Sequence, residues 1–162
     1  MPRNIDDIAD QISTIRHRIQ RYGGSEADAG ATIAAALLYS GKRFSIKHDL
    51  EAYLGYKSNL QSTHGGLAEA GANIATAVLW NYGFDFERHM GEFLGLRNRL
   101  QHGNTPESNA SSNVAAAMAY VSSKGKRLDY AQTPLISESI QKAITQGAMS
   151  FPAAAVFLAM LH

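Results

Sequence analysis

The 162-residue chain has no cysteine, a single tryptophan and four prolines. Without cysteine there is no disulfide framework, thiol nucleophile or thiolate metal site, and the compartment is not legible from redox chemistry. A dominant charge is also missing. Fifteen basic and 14 acidic residues leave a net charge of +1, so no global field draws the protein to nucleic acid or to an acidic membrane, and any polyanion site must be a local patch. The longest apolar run near the end, residues 151–161, is broken by Pro152 and falls short of the roughly 18 residues a spanning helix needs. It reads as a buried closing helix, and no membrane partner is expected. The first residues, MPRNIDDIADQIS, carry acids where a secretory signal needs an apolar core, so a cytoplasmic location is the default.

Site signatures are sparse as well. There is no glycine-rich phosphate loop after a strand and no serine-centred nucleophile elbow. His48, His64 and His89 lie near Asp49, Glu87 and Glu92 without a His-x-x-x-His or Glu-x-x-His pair, so neither a metal nor another cofactor is expected. No segment alternates apolar and polar residues with β-branched enrichment, which leaves an all-α fold. At 17.5 kDa the chain suits one domain with a real core.

What is present is helical periodicity. Over residues 5–22, Ile5, Ile8, Ile12, Ile15, Ile19 and Tyr22 recur at spacings of three and four, a seam suited to coiled-coil packing. Asn4 caps this helix, Asp6 and Asp7 favour its positive end, and Arg16, Arg18 and Arg21 its negative end. The exposed seam makes a homodimer a reasonable partner state. Gly23 and Gly24 end the helix, and Ser25 with Glu26 begins the next.

The chain then repeats itself. Residues 27–39, ADAGATIAAALLY, match residues 68–80, AEAGANIATAVLW, at an offset of 41, keeping Gly30/Gly71, Ile33/Ile74, Ala36/Ala77 and Leu38/Leu79. Residues 113–120 echo the helix a third time, and Gly41-Lys42-Arg43-Phe44 recurs as Gly125-Lys126-Arg127-Leu128. A second helix aligns too, with YLGYKSNLQ at 53–61 against FLGLRNRLQ at 93–101. A two-helix period near 40 residues predicts stacked helical hairpins, although alanine-rich helices also resemble one another through composition alone. The fold expected is therefore a single all-α domain of about six or seven helices, either a bundle or a short stack of hairpins.

The small residues Gly30, Ala31, Ala34, Ala35, Gly71, Ala72, Ala75, Ala115 and Ala116 allow helix axes to approach closely. Trp80, Phe84, Phe86, Phe93, Tyr39, Phe44 and Tyr53 are left to supply the bulk. Residues 103–113, GNTPESNASSN, read as a loop, and Thr133-Pro134 opens a further helix over 135–146 that Gly147 ends. Lys42-Arg43 and Lys126-Arg127, after glycines at helix ends, read as C-terminal caps rather than phosphate clamps.

The richest chemistry lies in residues 86–104, a helix that stops on Gly103 and carries Arg97, Asn98 and His102 in the order Arg-Asn-x-x-x-His. The segment Leu96-Arg97-Asn98-Arg99-Leu100-Gln101-His102-Gly103-Asn104 resembles the signature of HEPN domains, small all-α domains of prokaryotic toxins and defence proteins. Arg97 would be the motif arginine, Asn98 its polar neighbour and His102 the motif histidine, while Asn104 stands where some branches carry tyrosine. The resemblance implies a metal-independent endoribonuclease, dimeric, acting on RNA and partnered by an antitoxin or another complex subunit, with Arg97, Asn98 and His102 catalytic and Arg99 and Asn104 binding substrate. The roles suit the residue types. Cleavage needs a base for the 2′-hydroxyl proton and a cation for the phosphorane charge. Residues five apart on a helix point roughly 140° apart, so the pair must meet beyond the last turn or across a dimer, and Arg99 is the nearer same-face neighbour of His102.

A second reading makes Arg97, Arg99 and His102 cations in the last turn of a helix, where each complements the dipole by roughly 0.3–1 kcal/mol. Lys57 and Asn59 occupy the matching places one repeat earlier. Under that reading the chain is a non-enzymatic helical module that binds a protein or nucleic-acid partner along a groove formed by its repeats.

Overall fold

The computed structural model describes residues 4–122. Six helices follow one another: α1 (Ile5–Ile19), α2 (Ser25–Gly41), α3 (Ile46–Leu60), α4 (Gly66–Asn81), α5 (Phe86–Leu100) and α6 (Pro106–Ser122). The described residues form an all-α bundle. The helix expected over 135–146, the closing helix over 151–161 and the second Gly-Lys-Arg turn at 125–127 lie outside the described residues.

Two sets of three helices alternate along the chain. α1, α3 and α5 begin at residues 5, 46 and 86; α2, α4 and α6 begin at 25, 66 and 106, so each set recurs every 41 or 40 residues. Packing pairs α1 with α2, α3 with α4 and α5 with α6, while α4 lies between α2 and α6. The hairpin unit therefore starts one helix earlier than the sequence match alone suggests. α1 is the first copy of the helix later repeated as α3 and α5.

Close approach is what stacks the units. A Cβ built on Gly30 would collide with the Cα and Cβ of Ala70, and one built on Gly71 would collide with the backbone of Ala110. The same glycine-on-alanine contact is thus made twice, one repeat apart. Around it the second layer is lined with buried alanines, from Ala27 and Ala31 to Ala115 and Ala119. Aromatic rings fill the space between layers in a continuous run. Phe44 and Tyr53 pack edge-on at 5.5 Å, Tyr56 stacks on Phe86 at 4.3 Å, and Phe84 reaches Tyr120 at 5.2 Å.

Two boundaries differ from the periodicity. The isoleucine seam predicts a first helix to Tyr22, yet α1 ends at Ile19, because the Glu69 carboxylate accepts the N–H groups of Arg21 and Tyr22. The seam is also split: Ile15 and Ile19 are buried in the bundle, Ile8 and Ile12 half-buried, and Ile5 exposed. Residues 103–113 are not one loop. Thr105 accepts the N–H of Ser108 as a cap, Pro106 takes the first helical position, and α6 runs on through the asparagines and serines. Asn109, Ser111, Ser112 and Asn113 stay helical with their side chains engaged. Ser112 donates to the Asn109 carbonyl, and Asn113 donates to the Leu60 carbonyl across the bundle.

Candidate functional site

The chemistry-bearing residues cluster where α1, α3 and α5 end. Each of these helices stops on a glutamine in extended conformation, Gln20, Gln61 or Gln101. In each, the glutamine amide donates to a carbonyl two residues on, at 2.9, 3.0 and 2.8 Å. Four residues before the glutamine stands a cation: Arg16, Lys57 or Arg97. Twelve residues after the cation, on the following helix, stands an acid or its amide: Asp28, Glu69 or Asn109.

In the first unit the pair lies near the surface, with Arg16 Nη1 and Asp28 Oδ1 2.7 Å apart. In the second it is buried: Lys57 Nζ donates at 2.8 Å both to Glu69 Oε2 and to the Ile19 carbonyl, a last-turn oxygen that α1 itself leaves free. Asn73 adds a 3.4 Å bond to the same oxygen. Glu69 is fully buried, and its other bonds go to the N–H groups of Arg21 and Tyr22. Burial pushes the Lys57 amine below its ordinary value, against the opposing hydrogen bond and charge of Glu69.

The third unit repeats the arrangement with one change. Arg97 Nη1 donates to the Leu60 carbonyl at 2.6 Å, and Asn113 joins it there at 2.8 Å, as Lys57 and Asn73 do on Ile19. Asn109 occupies the place of Glu69 and accepts the Ser62 N–H at 3.1 Å. Arg97 is 6 % exposed and has no carboxylate partner among the described residues, so burial alone lowers its pKa.

The residues singled out by the Arg-Asn-x-x-x-His order are placed as follows. Asn98 is exposed and accepts from Arg97 Nε at 3.2 Å and Nη2 at 2.9 Å. The structure thus joins Arg97 to Asn98 and turns the guanidinium toward the end of α3. Arg99 is exposed on α5, and His102 and Asn104 are exposed on the loop after it. Lys42 is the left-handed C-cap of α2, with φ +58°, and Arg43 donates to the Asn81 carbonyl at the end of α4.

Lys57 and Glu69, which order the end of α1, were not apparent as a pair from local motifs. Their signal is the triple recurrence of a cation, a glutamine four residues later and an acid or amide eight beyond that. A cleft of about 520 Å³ opens above them between Tyr22, Gly55 and His64, with Tyr22 Oη and His64 Nδ1 3.5 Å apart. Among the described residues, no group of three or more His, Asp and Glu side chains is placed to hold a metal ion, and no helix is long and apolar enough to cross a membrane.

Compared with known proteins, the chain matches no family model, and no curated protein and no solved structure is significantly similar to it. The resemblance at residues 96–104 therefore rests on those residues alone.

Proposed function

We propose that the chain is a non-enzymatic α-helical repeat module whose stacked hairpins present a binding surface to a partner protein. The observation that carries this reading is the equivalence of Arg16, Lys57 and Arg97. Arg97 is the third member of a structural series, buried and donating to a helix-end carbonyl as Lys57 does one unit earlier. A cation spent in this way is poorly placed to stabilise a phosphorane on a solvent-borne substrate, since catalysis needs a donor aimed at the developing charge. Stacked repeats, by contrast, generate extended surfaces suited to recognition. A homodimer through α1 would have to use Ile5 and Ile8, because Ile15 and Ile19 are taken up by the bundle.

The test is incubation of the purified protein with single-stranded RNA in EDTA, wild type beside His102→Ala. A binding module leaves the RNA intact in both. Cleavage by the wild type that His102→Ala abolishes, with a cyclic phosphate at the product end, would overturn this reading in favour of the metal-independent endoribonuclease that the motif resemblance implies.

A further inference from the structure

Two grooves on the molecule are copies of one another. One lies between α1 and α3, with Ile15, Tyr39, Phe44, Ser45, Ile46 and Lys47 among its lining residues, and encloses about 1140 Å³. The other lies one repeat on, between α3 and α5, with Tyr56, Trp80, Phe84, Asp85, Phe86 and Glu87 in its lining and about 330 Å³ of space. The correspondence follows from the helix starts: Ile15 matches Tyr56, Tyr39 matches Trp80, and the N-caps Ser45 and Asp85 match, as do the next residues Ile46 with Phe86 and Lys47 with Glu87.

The two copies differ in filling and in sign. In the second, the chain plugs the groove itself: Tyr56 stacks on Phe86, Trp80 packs against both, and Phe84 meets Phe86 edge-on. In the first, the smaller Ile15 and Ile46 stand at two of these places, and the described residues leave the space open. Its rim carries Lys42 and Lys47, both exposed; among the described residues neither has a carboxylate partner and no Asp or Glu lines the groove. Lys47 also sits in the first turn of α3, where the helix dipole disfavours a cation, whereas its counterpart Glu87 sits where the dipole favours an anion. Asp49 offsets the dipole in the same turn, but it accepts the Ser45 N–H and makes no ion pair with Lys47 among the described residues.

Resting on the interaction-module reading, we propose that the α1–α3 groove is the docking site for an acidic segment of a partner protein, whose apolar side chains enter against Ile8, Ile15, Phe44 and Ile46 while its carboxylates meet Lys42 and Lys47. Apolar volume supplies the affinity, and the two lysines set the orientation and the choice of an acidic ligand. The α3–α5 copy, plugged by its own rings and carrying Asp85 and Glu87 against the single cation Arg43, does not compete.

The probe is a displayed library of random short peptides selected on the wild-type protein, with the enriched peptides then synthesised and titrated by fluorescence anisotropy. The expected peptides combine Asp or Glu with Leu, Ile or aromatic residues. Their affinity should fall at least about tenfold in Lys42→Glu/Lys47→Glu and in Ile8→Asp, and hold in the control Glu87→Lys. All the substituted positions are exposed or half-buried, and circular dichroism melting verifies that each variant folds. Peptides that bind the charge-reversed and wild-type proteins alike would overturn the groove while leaving the interaction reading intact. A library that yields no binders would overturn both. Concentration-dependent dimerisation of the free protein that the same substitutions abolish would assign the groove to a second copy and overturn the acidic partner.

Discussion

The Lys57 ammonium and the Arg97 guanidinium hold equivalent places one repeat apart, each closing the last turn of the equivalent helix one repeat earlier: Lys57 on the carbonyl of Ile19 at 2.8 Å, Arg97 on that of Leu60 at 2.6 Å. The second and third repeats thus each reach back to finish the one before. The register of the stack is set by these bonds as well as by apolar packing.

The buried pair makes the clearest energetic demand. Removing one member leaves the other charge buried without its partner, so Lys57→Met or Glu69→Ala alone should lower the unfolding free energy by roughly 3–5 kcal/mol. Glu69→Gln keeps an oxygen for the Arg21 and Tyr22 N–H groups and should cost less than Glu69→Ala. Urea denaturation of the three variants checks the order.

The third unit invites the reverse experiment. Asn109 stands where Glu69 stands, and Arg97 is a buried cation without a carboxylate among the described residues. Asn109→Glu supplies one and should raise stability by much less than breaking the existing pair lowers it, since it buries a second charge and gives up the Asn109 amide bond to Gln101 Oε1. A fall in the urea midpoint would show that the two units are not interchangeable at this position.

Glycines separate into two classes with opposite expected signs. Gly30→Ala and Gly71→Ala place a methyl group onto the backbone of the neighbouring helix and should destabilise by roughly 1–3 kcal/mol through overpacking. Gly55 and Gly95 lie inside α3 and α5, with nothing within 4 Å of an added Cβ, so alanine there should stabilise by about 1 kcal/mol each. Thermal melts of the four single variants decide it.

Alkaline pH probes the interior. Tyr53 is fully buried with its hydroxyl donating to the Asn73 carbonyl at 2.9 Å, and burial, reinforced by the Glu69 charge, raises its pKa well above the ordinary 10.0. A raised folded pKa gives stability that is present below the ordinary value and lost as the pH climbs past 10.0 toward the folded one. Lys57 works the other way: burial lowers its pKa, so folding gains as the pH rises through the window just below the ordinary 10.5. Tyr53→Phe should cost about 1 kcal/mol at neutral pH for the lost hydroxyl bond, yet show a shallower loss above pH 10.0 than the wild type. Equal slopes would mean that Tyr53 is not the titrating group.

Much of this architecture is legible in the sequence. Heptad-like isoleucines, the Gly30/Gly71 match and the two Leu-Gly helices at 53–61 and 93–101 predict stacked helices at the observed period. The membership of α1 is not legible, because its apolar face reads the same whether it packs in a repeat or in a dimer. The match to the later copies is thin: the cation at Arg16 and the glutamine at Gln20 recur in both, Ile19 stands against Leu60 and Leu100, Ile5 repeats as Ile46 and Arg18 as Arg99. Residues 106–113 read as loop because serine and asparagine offer the backbone an alternative to the helix. That alternative is removed when their side chains find partners such as Leu60, Ser62 and Gln101, which only the folded stack supplies. Arg97 stands out in the sequence for its neighbours Asn98 and His102, whereas its bond to Leu60 joins residues 37 positions apart. No local motif reports such a contact.

The most direct measurement is the urea unfolding free energy of Arg97→Ala beside Arg97→Lys and His102→Ala. A capping role for Arg97 predicts a loss of about 2 kcal/mol on truncation, the worth of a hydrogen bond from a charged group. Lysine should recover most of it, since Lys57 performs the same task one unit earlier, and the exposed His102 should change stability by no more than about 0.5 kcal/mol. An Arg97→Ala protein as stable as the wild type would contradict the structural role, and with it the repeat-module reading of this chain.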